Sequence, residues 1–521
     1  MQINQKIAAG IFLNLLLVAF IGCQAPFTEE EQIRPNILFV LSDDQSWLHT
    51  GAMGDSLVNT PAFDRIANEG ILFTHSFSAS PSCTPSRSAI ISGQDIWRLQ
   101  QGGVLFGAVP PDLKMYPQIM AKAGYHVGYT GKGWAPGKWN NLGLENDPIG
   151  IPYKQHLEGV VAEGINRLDY AANFETFMAD RNPDQPFCFW FGATEPHRIY
   201  QDGIGKMMGN NPASVKVPDC WPRDEIIQSD ILDYLYEIEW YDTHLAGMLE
   251  TLEETGELDN TLIIVTSDNG MPFPRAKVNL YDLGVRMPLA ICWGDKIKGG
   301  RIVDDLVSHT DFAPTILEAA GLPIPPEMTG KSLMPILLSQ QEGIVEPERN
   351  QVFSALERHT WCRPEGATYP IRSIRTREYL YIRNFEPDRW PTGGAEFVSS
   401  NRTFHGDVDA CPTKSFLVDE ANQQQYAEIY QLNFGKRPPE ELYKIDSDPF
   451  QVENLAGQPE FASVKKDLWR RLKNYLLDTG DPRIQGKDPW QQYIYHQADG
   501  FGASYNRSLS PAEVERAKLR P

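Results

Sequence analysis

Basic charge is what this 521-residue chain has too little of: 47 lysines and arginines stand against 68 aspartates and glutamates, a net charge of −21. That balance excludes a general nucleic-acid binder, which needs a basic surface. It would also repel an anionic polymer at long range, so a substrate of that kind requires a local basic pocket. Zinc-type ligand spacing is missing as well. The seven cysteines form no CxxC pair and no Cys/His cluster, so nothing points to zinc. The apolar stretch 7–21 is too short for a convincing membrane span. No internal repeat or low-complexity segment interrupts the chain, and its length suggests two to four domains.

The beginning of the chain reads as an export signal over 1–22, with Lys6 before the apolar stretch. It closes on Phe20-Ile21-Gly22-Cys23, which resembles a lipobox and predicts Cys23 as a lipidated residue. Residues 23–34, with three consecutive glutamates, read as a solvated tether. The expectation is therefore an exported lipoprotein anchored to a membrane, periplasmic or at the cell surface. Cys188 and Cys292 lie in apolar runs and read as small buried hydrophobes. Cys362 and Cys411 are candidates for a disulfide in an oxidising compartment.

From about residue 34 to 342, strand-like runs alternate with helical ones, the pattern of a doubly wound α/β sheet. One helix shows three- and four-residue apolar spacing from Ile231 to Leu252, with Asp230 as its predicted N-cap and Gly256 as its stop. A second is expected over 311–320, ended by Gly321. Beyond 342 short strand-like pieces recur at 351–356, 371–374, 379–382 and 441–445, and a helix over 460–477 follows. The organisation predicted is a catalytic domain over 35–345, a smaller α+β domain over 346–480 and an irregular tail over 481–521.

Four polar clusters each follow a short apolar run of strand formers, as buried parallel strands read. Residues 36–42 lead into Asp43-Asp44, and 125–130 into Gly131-Lys132-Gly133. Residues 187–193 lead into Glu195-Pro196-His197-Arg198, and 261–267 into Asp268-Asn269-Gly270. Ligands gather outside the carboxyl ends of such strands, so these clusters describe one site. Asp43, Asp44, Asp268 and Asn269 offer only oxygens, which suits a hard divalent cation. Arg87, Lys132 and Lys277 are candidates to surround an oxyanion, and His197 is the candidate proton donor. Cys83 opens the run Cys83-Thr84-Pro85-Ser86-Arg87 at the expected start of a helix, where negative charge is favoured.

That run resembles the C-x-P-S-R signature of the type I, formylglycine-dependent sulfatases of the alkaline-phosphatase-like superfamily. The stretches around Pro196-His197-Arg198, Ser229 to Tyr234, Ser267 to Pro274 and Tyr369 to Ile374 are similar to the heparan N-sulfatase branch and its bacterial relatives. The resemblance implies a large doubly wound mixed sheet flanked by helices and a smaller C-terminal α+β domain. It implies Ca²⁺ held by Asp43, Asp44, Asp268, Asn269 and modified Cys83, the last converted by a maturation enzyme to formylglycine (3-oxoalanine). Arg87 would hold that group, Lys132 and Lys277 the sulfate, and His197 the leaving group. Arg198, His359 and Arg372 would face the sugar. Trp134 stands where the family usually has histidine, and is expected to stack on a sugar ring or to pack the pocket wall. The activity implied is removal of O-sulfate from a sulfated polysaccharide or its oligosaccharides, ulvan or a glycosaminoglycan. Hydrolysis of N-sulfoglucosamine is the nearest alternative, and a glycan-binding lipoprotein with a dead site the more distant one.

Overall fold

The computed structural model describes residues 34–495 apart from 111, 140–143, 145, 160, 395–403 and 494. The expected signal, the tether with Cys23 and the end of the tail lie outside the described residues. Nine strands build a large sheet: β1 (Asn36–Ser42), β2 (Ile71–Phe77), β3 (His126–Gly131), β4 (Ile151–Tyr153), β5 (Phe187–Gly192), β6 (Thr261–Ser267), β7 (Arg286–Cys292), β8 (Arg301–Val303) and β9 (Val307–Ser308). Their order is β4-β3-β5-β1-β6-β7-β2-β8, with β9 beside β2. All pairs are parallel except those of β7, which runs antiparallel to both neighbours.

The central strand β1 explains the layering. Its side chains point alternately to opposite faces. Ile37, Phe39 and Leu41 pack with Ile90 and Ile91 of α1 (Cys83–Ser92), Met120 of α2 (Tyr116–Lys122) and Phe312 of α5 (Phe312–Ala319). Leu38 and Val40 face the other way, against Phe174 and Phe177 of α3 (Tyr170–Asp180) and Leu245 and Met248 of α4 (Glu225–Glu254). A strand covered on both faces needs apolar residues at every position, which is why these runs do not alternate with polar ones.

One helix boundary and one disulfide expectation are corrected. Helix α4 begins at Glu225 with Asp224 as N-cap, donating from Ile226 N to its side chain. Asp230 therefore lies inside the helix, where its carboxylate accepts from Arg198 and Thr413. The helix stops where expected, with Gly256 in the left-handed region. Cys362 and Cys411 are free thiols, each buried, rather than a disulfide.

A second sheet is antiparallel, β10 (Gln351–Leu356), β11 (Ile371–Thr376), β12 (Tyr379–Asn384) and β13 (Glu440–Lys444), in that order. Helix α6 (Ala462–Asp478) covers it with Leu468, Leu472 and Leu476, four residues apart on one face. The same core takes in Ala79, Ala89 and Trp97 from around α1. Shared packing makes one compact unit from Arg34 onward, and it presses the second sheet against the segment that carries Cys83.

Candidate active site

Strand register brings the acids together. Ser42 and Ser267 are partners at the ends of β1 and β6, so Asp43-Asp44 and Asp268-Asn269 emerge side by side. Asp268 N donates to Ser42 O at 3.1 Å. On the other flank of β1, Asp43 N donates to Glu195 O at 2.9 Å beyond β5, and Lys132 N donates to Gly192 O at 2.6 Å beyond β3. Four adjacent strands thus present their carboxyl ends to one pocket, which is where open α/β sheets hold ligands.

Helix α1 points its N-terminus into the same place. Cys83 is its first residue, 2 % exposed, and its Sγ lies 3.7 Å from Asp43 Oδ1. Single ligand atoms of Asp43, Cys83 and Asp268 lie within 4.8 Å of one another. Arg87, one turn along, is fully buried. It donates from Nε to Asp268 Oδ2 at 2.8 Å and from Nη1 to the carbonyls of Lys132 and Gly133 at 2.8 and 3.0 Å. This one guanidinium fastens the helix, an acid and the lysine loop together.

Lysines meet the carboxylates from both sides. Lys132 Nζ is paired with Asp43 Oδ2. Lys277 Nζ donates to Asp44 Oδ2 at 2.7 Å and lies 3.2 Å from Asp409 Oδ2. Its loop is held by Val278 N donating to Pro81 O and by buried Arg275 donating to Leu432 O. Asp44 sits at φ 74°, a left-handed conformation rare outside glycine. Its backbone N–H and that of Asn269 both donate to Asp268 Oδ1, and Asn269 Nδ2 donates to Asp44 Oδ1 at 2.6 Å.

Burial governs the electrostatics. It works to raise the Asp43 carboxyl, but the Lys132 and Arg87 charges outweigh it and hold Asp43 well below the usual range. Burial pushes Asp44 up despite Lys277, and burial with neighbouring Asp43 lifts Asp268 to about 6. Burial also pushes the Cys83 thiol far above its ordinary value, so an unmodified Cys83 stays a thiol here. Burial opposes the charge of Lys277, and Asp409 and Asp44 outweigh it.

The donor set fits a hard divalent cation. Three buried carboxylates converge, and the Asn269 Oδ1 is buried with no hydrogen-bond partner. An amide oxygen and carboxylate oxygens without histidine are the ligands such an ion takes.

At the rim, His197 has a 37 % exposed side chain, and its Nε2 lies 3.8 Å from Asp44 Oδ2. Its Nδ1 is 2.7 Å from Arg198 O, which can only accept. Nδ1 therefore carries the hydrogen, and Nε2 is the ring nitrogen turned towards Asp44. His359 Nδ1 pairs with Ser82 Oγ at 2.8 Å, and burial lowers its pKa to about 4.

Three expected sugar contacts are corrected. Arg198 is buried, donating to Asp230 Oδ1 at 2.7 Å and to Pro272 O at 3.0 Å between the rings of Tyr200 and Phe273. It fixes the loop that carries His197. Arg372 is fully buried between Glu357 and Asp481. Trp134 is also fully buried, donating from Nε1 to Ser88 Oγ at 2.8 Å, with Gly137 against its ring. It packs behind the pocket wall, the second of the two roles expected for it. Asp409 was missed, because Asp407-Val408-Asp409-Ala410 follows no strand and carries no motif.

Residues 35–322 match the family model described as Sulfatase, and residues 276–391 the one described as N-sulphoglucosamine sulphohydrolase, C-terminal. An ulvan-active sulfatase of Formosa agariphila is 28 % identical over 493 residues, covering 92 % of this chain and 90 % of that protein. The N-sulphoglucosamine sulphohydrolase of Homo sapiens is 26 % identical over 494 residues, covering 87 % of this chain and 92 % of that one. A solved structure of a protein in complex with its substrate D-glucosamine-2-N,6-O-disulfate shares the fold, with a TM-score of 0.61 at 21 % identity over 88 % of this chain and 99 % of that one.

Proposed function

Since the chain belongs to the sulfatase family, we propose that it hydrolyses a sulfate ester on a sulfated saccharide, and that the pocket at the four strand ends does the chemistry. The observation that carries this is the convergence of Cys83, Arg87, Lys132, Lys277 and His197 on buried Asp43, Asp44, Asp268 and Asn269. Those four oxygen-bearing residues would hold a divalent cation, Ca²⁺ by the chemistry of the donors. Cys83 would be matured to formylglycine. Together the two groups would supply an activated attacking oxygen and a Lewis acid at the sulfate.

The chain's own residues divide the remaining work. Lys132 and Lys277 supply fixed positive charge for the peripheral oxygens of the sulfuryl group, where charge spreads as it transfers. Both are already held by buried carboxylates, so little reorganisation is needed when substrate arrives. Arg87 locks residue 83 in place through Asp268 and the lysine-loop carbonyls. His197 delivers a proton from Nε2 to the leaving oxygen, with Nδ1–H held by the Arg198 carbonyl. Its exposure supports a scissile bond at the pocket mouth, with the sugar outside.

Relatives of near-equal identity carry an ulvan name and an N-sulphoglucosamine name, and both are sulfated saccharides. N-sulfate cleavage is the second reading, favoured by the match of residues 276–391. The test is sulfate release by matured full-length protein from ulvan, heparin, chondroitin sulfate and carrageenan fragments, beside N-sulfoglucosamine. Release from none of them sinks the reading. Export with lipidation at Cys23 completes the proposal, and Cys23→Ser should remove the protein from the membrane fraction.

A further inference from the structure

Lys277 is shared between two carboxylates, and the second has no role so far. Asp409 lies 3.2 Å from the lysine, with a side chain 24 % exposed. Its Oδ2 is buried without a hydrogen bond of ordinary geometry, and among the described residues Lys277 is its one ion-pair partner. Burial works to raise the Asp409 carboxyl, but Lys277, His197 and His359 outweigh it and keep it ionised. A permanent negative charge thus stands beside the cation meant for a sulfate oxygen.

Attraction to an anion would be stronger without it, so its presence needs another reason. The charges of the lining suggest one. Asp43, Asp44 and Asp268 balance Arg87, Lys132 and Lys277. Asp409 makes the lining one charge negative. A divalent cation then brings the pocket to one positive charge, where without Asp409 it would carry two.

The reaction changes the charge of what is bound. A sulfate ester is a monoanion. On hydrolysis the sulfur–oxygen bond to the sugar breaks and the water oxygen ends on sulfur. One water proton goes to the sugar oxygen and the other to solvent, leaving sulfate as a dianion. A buried pocket favours the ligand whose charge it neutralises, since uncompensated charge there is costly. With Asp409 the matching ligand is the ester; without it, the match is the product.

We propose that Asp409 is a charge-selecting residue: it tunes the sulfate pocket to monoanionic esters and speeds loss of dianionic sulfate. This rests on the sulfatase reading and extends it. Asp409 acts through the field at Lys277 and is a positioning residue, outside the bond-making atoms.

The experiment measures binding as well as turnover. Inorganic sulfate and methanesulfonate, a dianion and a monoanion of similar shape, are titrated calorimetrically into calcium-loaded full-length protein. Asp409→Asn should raise the sulfate-to-methanesulfonate affinity ratio by about tenfold or more, because one charge is removed from a desolvated site. Product inhibition by sulfate should strengthen in step. Asp409→Glu should keep the wild-type ratio. Should the Asn variant not fold, Asp409→Ser gives a second neutral form, and wild-type protein alone must bind sulfate no tighter than methanesulfonate. An unchanged ratio in a folded neutral variant, or a Glu variant that behaves like Asn, overturns the proposal. A shifted ratio in protein that releases sulfate from no saccharide would sink the enzymatic reading and leave the charge selection standing.

Discussion

Arg372→Ala should act on stability and leave sugar recognition alone. The guanidinium donates to Asp481 Oδ2 at 2.7 Å and to Glu357 Oε1 at 2.6 Å, and all three side chains are fully buried. The rings of Trp97 and Trp490 flank it at 5.5 Å. Removing one partner of a buried pair costs about 3–5 kcal/mol, mostly because the other charge is stranded. Here Glu357 keeps Arg483 at 2.6 Å and Asp481 keeps the Arg483 backbone N–H, so the lower end, ~3 kcal/mol, is expected. For a unit this long the unfolding entropy is about 1 kcal/mol/K, which makes the fall in Tm about 3 °C. Local opening is the more sensitive readout, because Asp481, Arg483 and Trp490 pin the chain after α6. Limited proteolysis should cut the variant after residue 478 faster than wild type. KM should be unchanged on both a small aryl sulfate and an oligosaccharide when measured cold. Unchanged melting and proteolysis together with a raised KM on the oligosaccharide alone would refute this reasoning.

Glu237 gives a pH prediction. Burial, then Glu195, raises its pKa to about 9, while the unfolded carboxyl ionises near the ordinary value. The folded state therefore binds the extra proton, and stability falls as pH rises from about 4.5 to 9, by up to about 1.4 kcal/mol per unit. Glu237→Gln should flatten that part of the Tm-against-pH curve and raise Tm at pH 8; an unaltered slope contradicts it. Trp134→Ala should destabilise by about 3–5 kcal/mol, as large deletions from a packed core do, and a denaturant curve matching wild type would show the ring is not core. Cys83→Ala should fold with an unchanged circular dichroism spectrum and release no sulfate; residual turnover above one hundredth of wild type rules out residue 83 as the nucleophile. Chelation should lower Tm and stop sulfate release, both restored by Ca²⁺, because Asp43, Asp44 and Asp268 would lose the charge that offsets their burial; indifference of both readings to chelator removes the cation from the site.

The elements that carry the site were legible because buried parallel strands have continuous apolar runs and end abruptly in polar residues. Asn36 to Ser42 and Thr261 to Ser267 were located in this way, ends included, while their pairing register comes from the fold. The start of α4 was not legible: buried Ile227 already stands four residues ahead of Ile231, but Asp230, a residue type common at caps, marks a start inside what is one continuous helix. Arginines misled for a different reason. A sequence shows a cation but not its partners, and Arg198 and Arg372 owe their burial to Asp230 in a helix and Asp481 in the tail. Asp409 lacked any signal, because its meaning comes only from the lysine it meets across the fold.

Every residue of α1 is buried, Cys83 included. A catalyst large enough to work on that sulfur has no route to it once the helix has docked against β1 and the second sheet. An enzymatic oxidation of the side chain, as proposed for this site, would therefore have to act on the unfolded chain, ahead of collapse. The same packing that would shelter a modified group from water would set a deadline for making it, and a chain folded before then would keep residue 83 as a buried thiol.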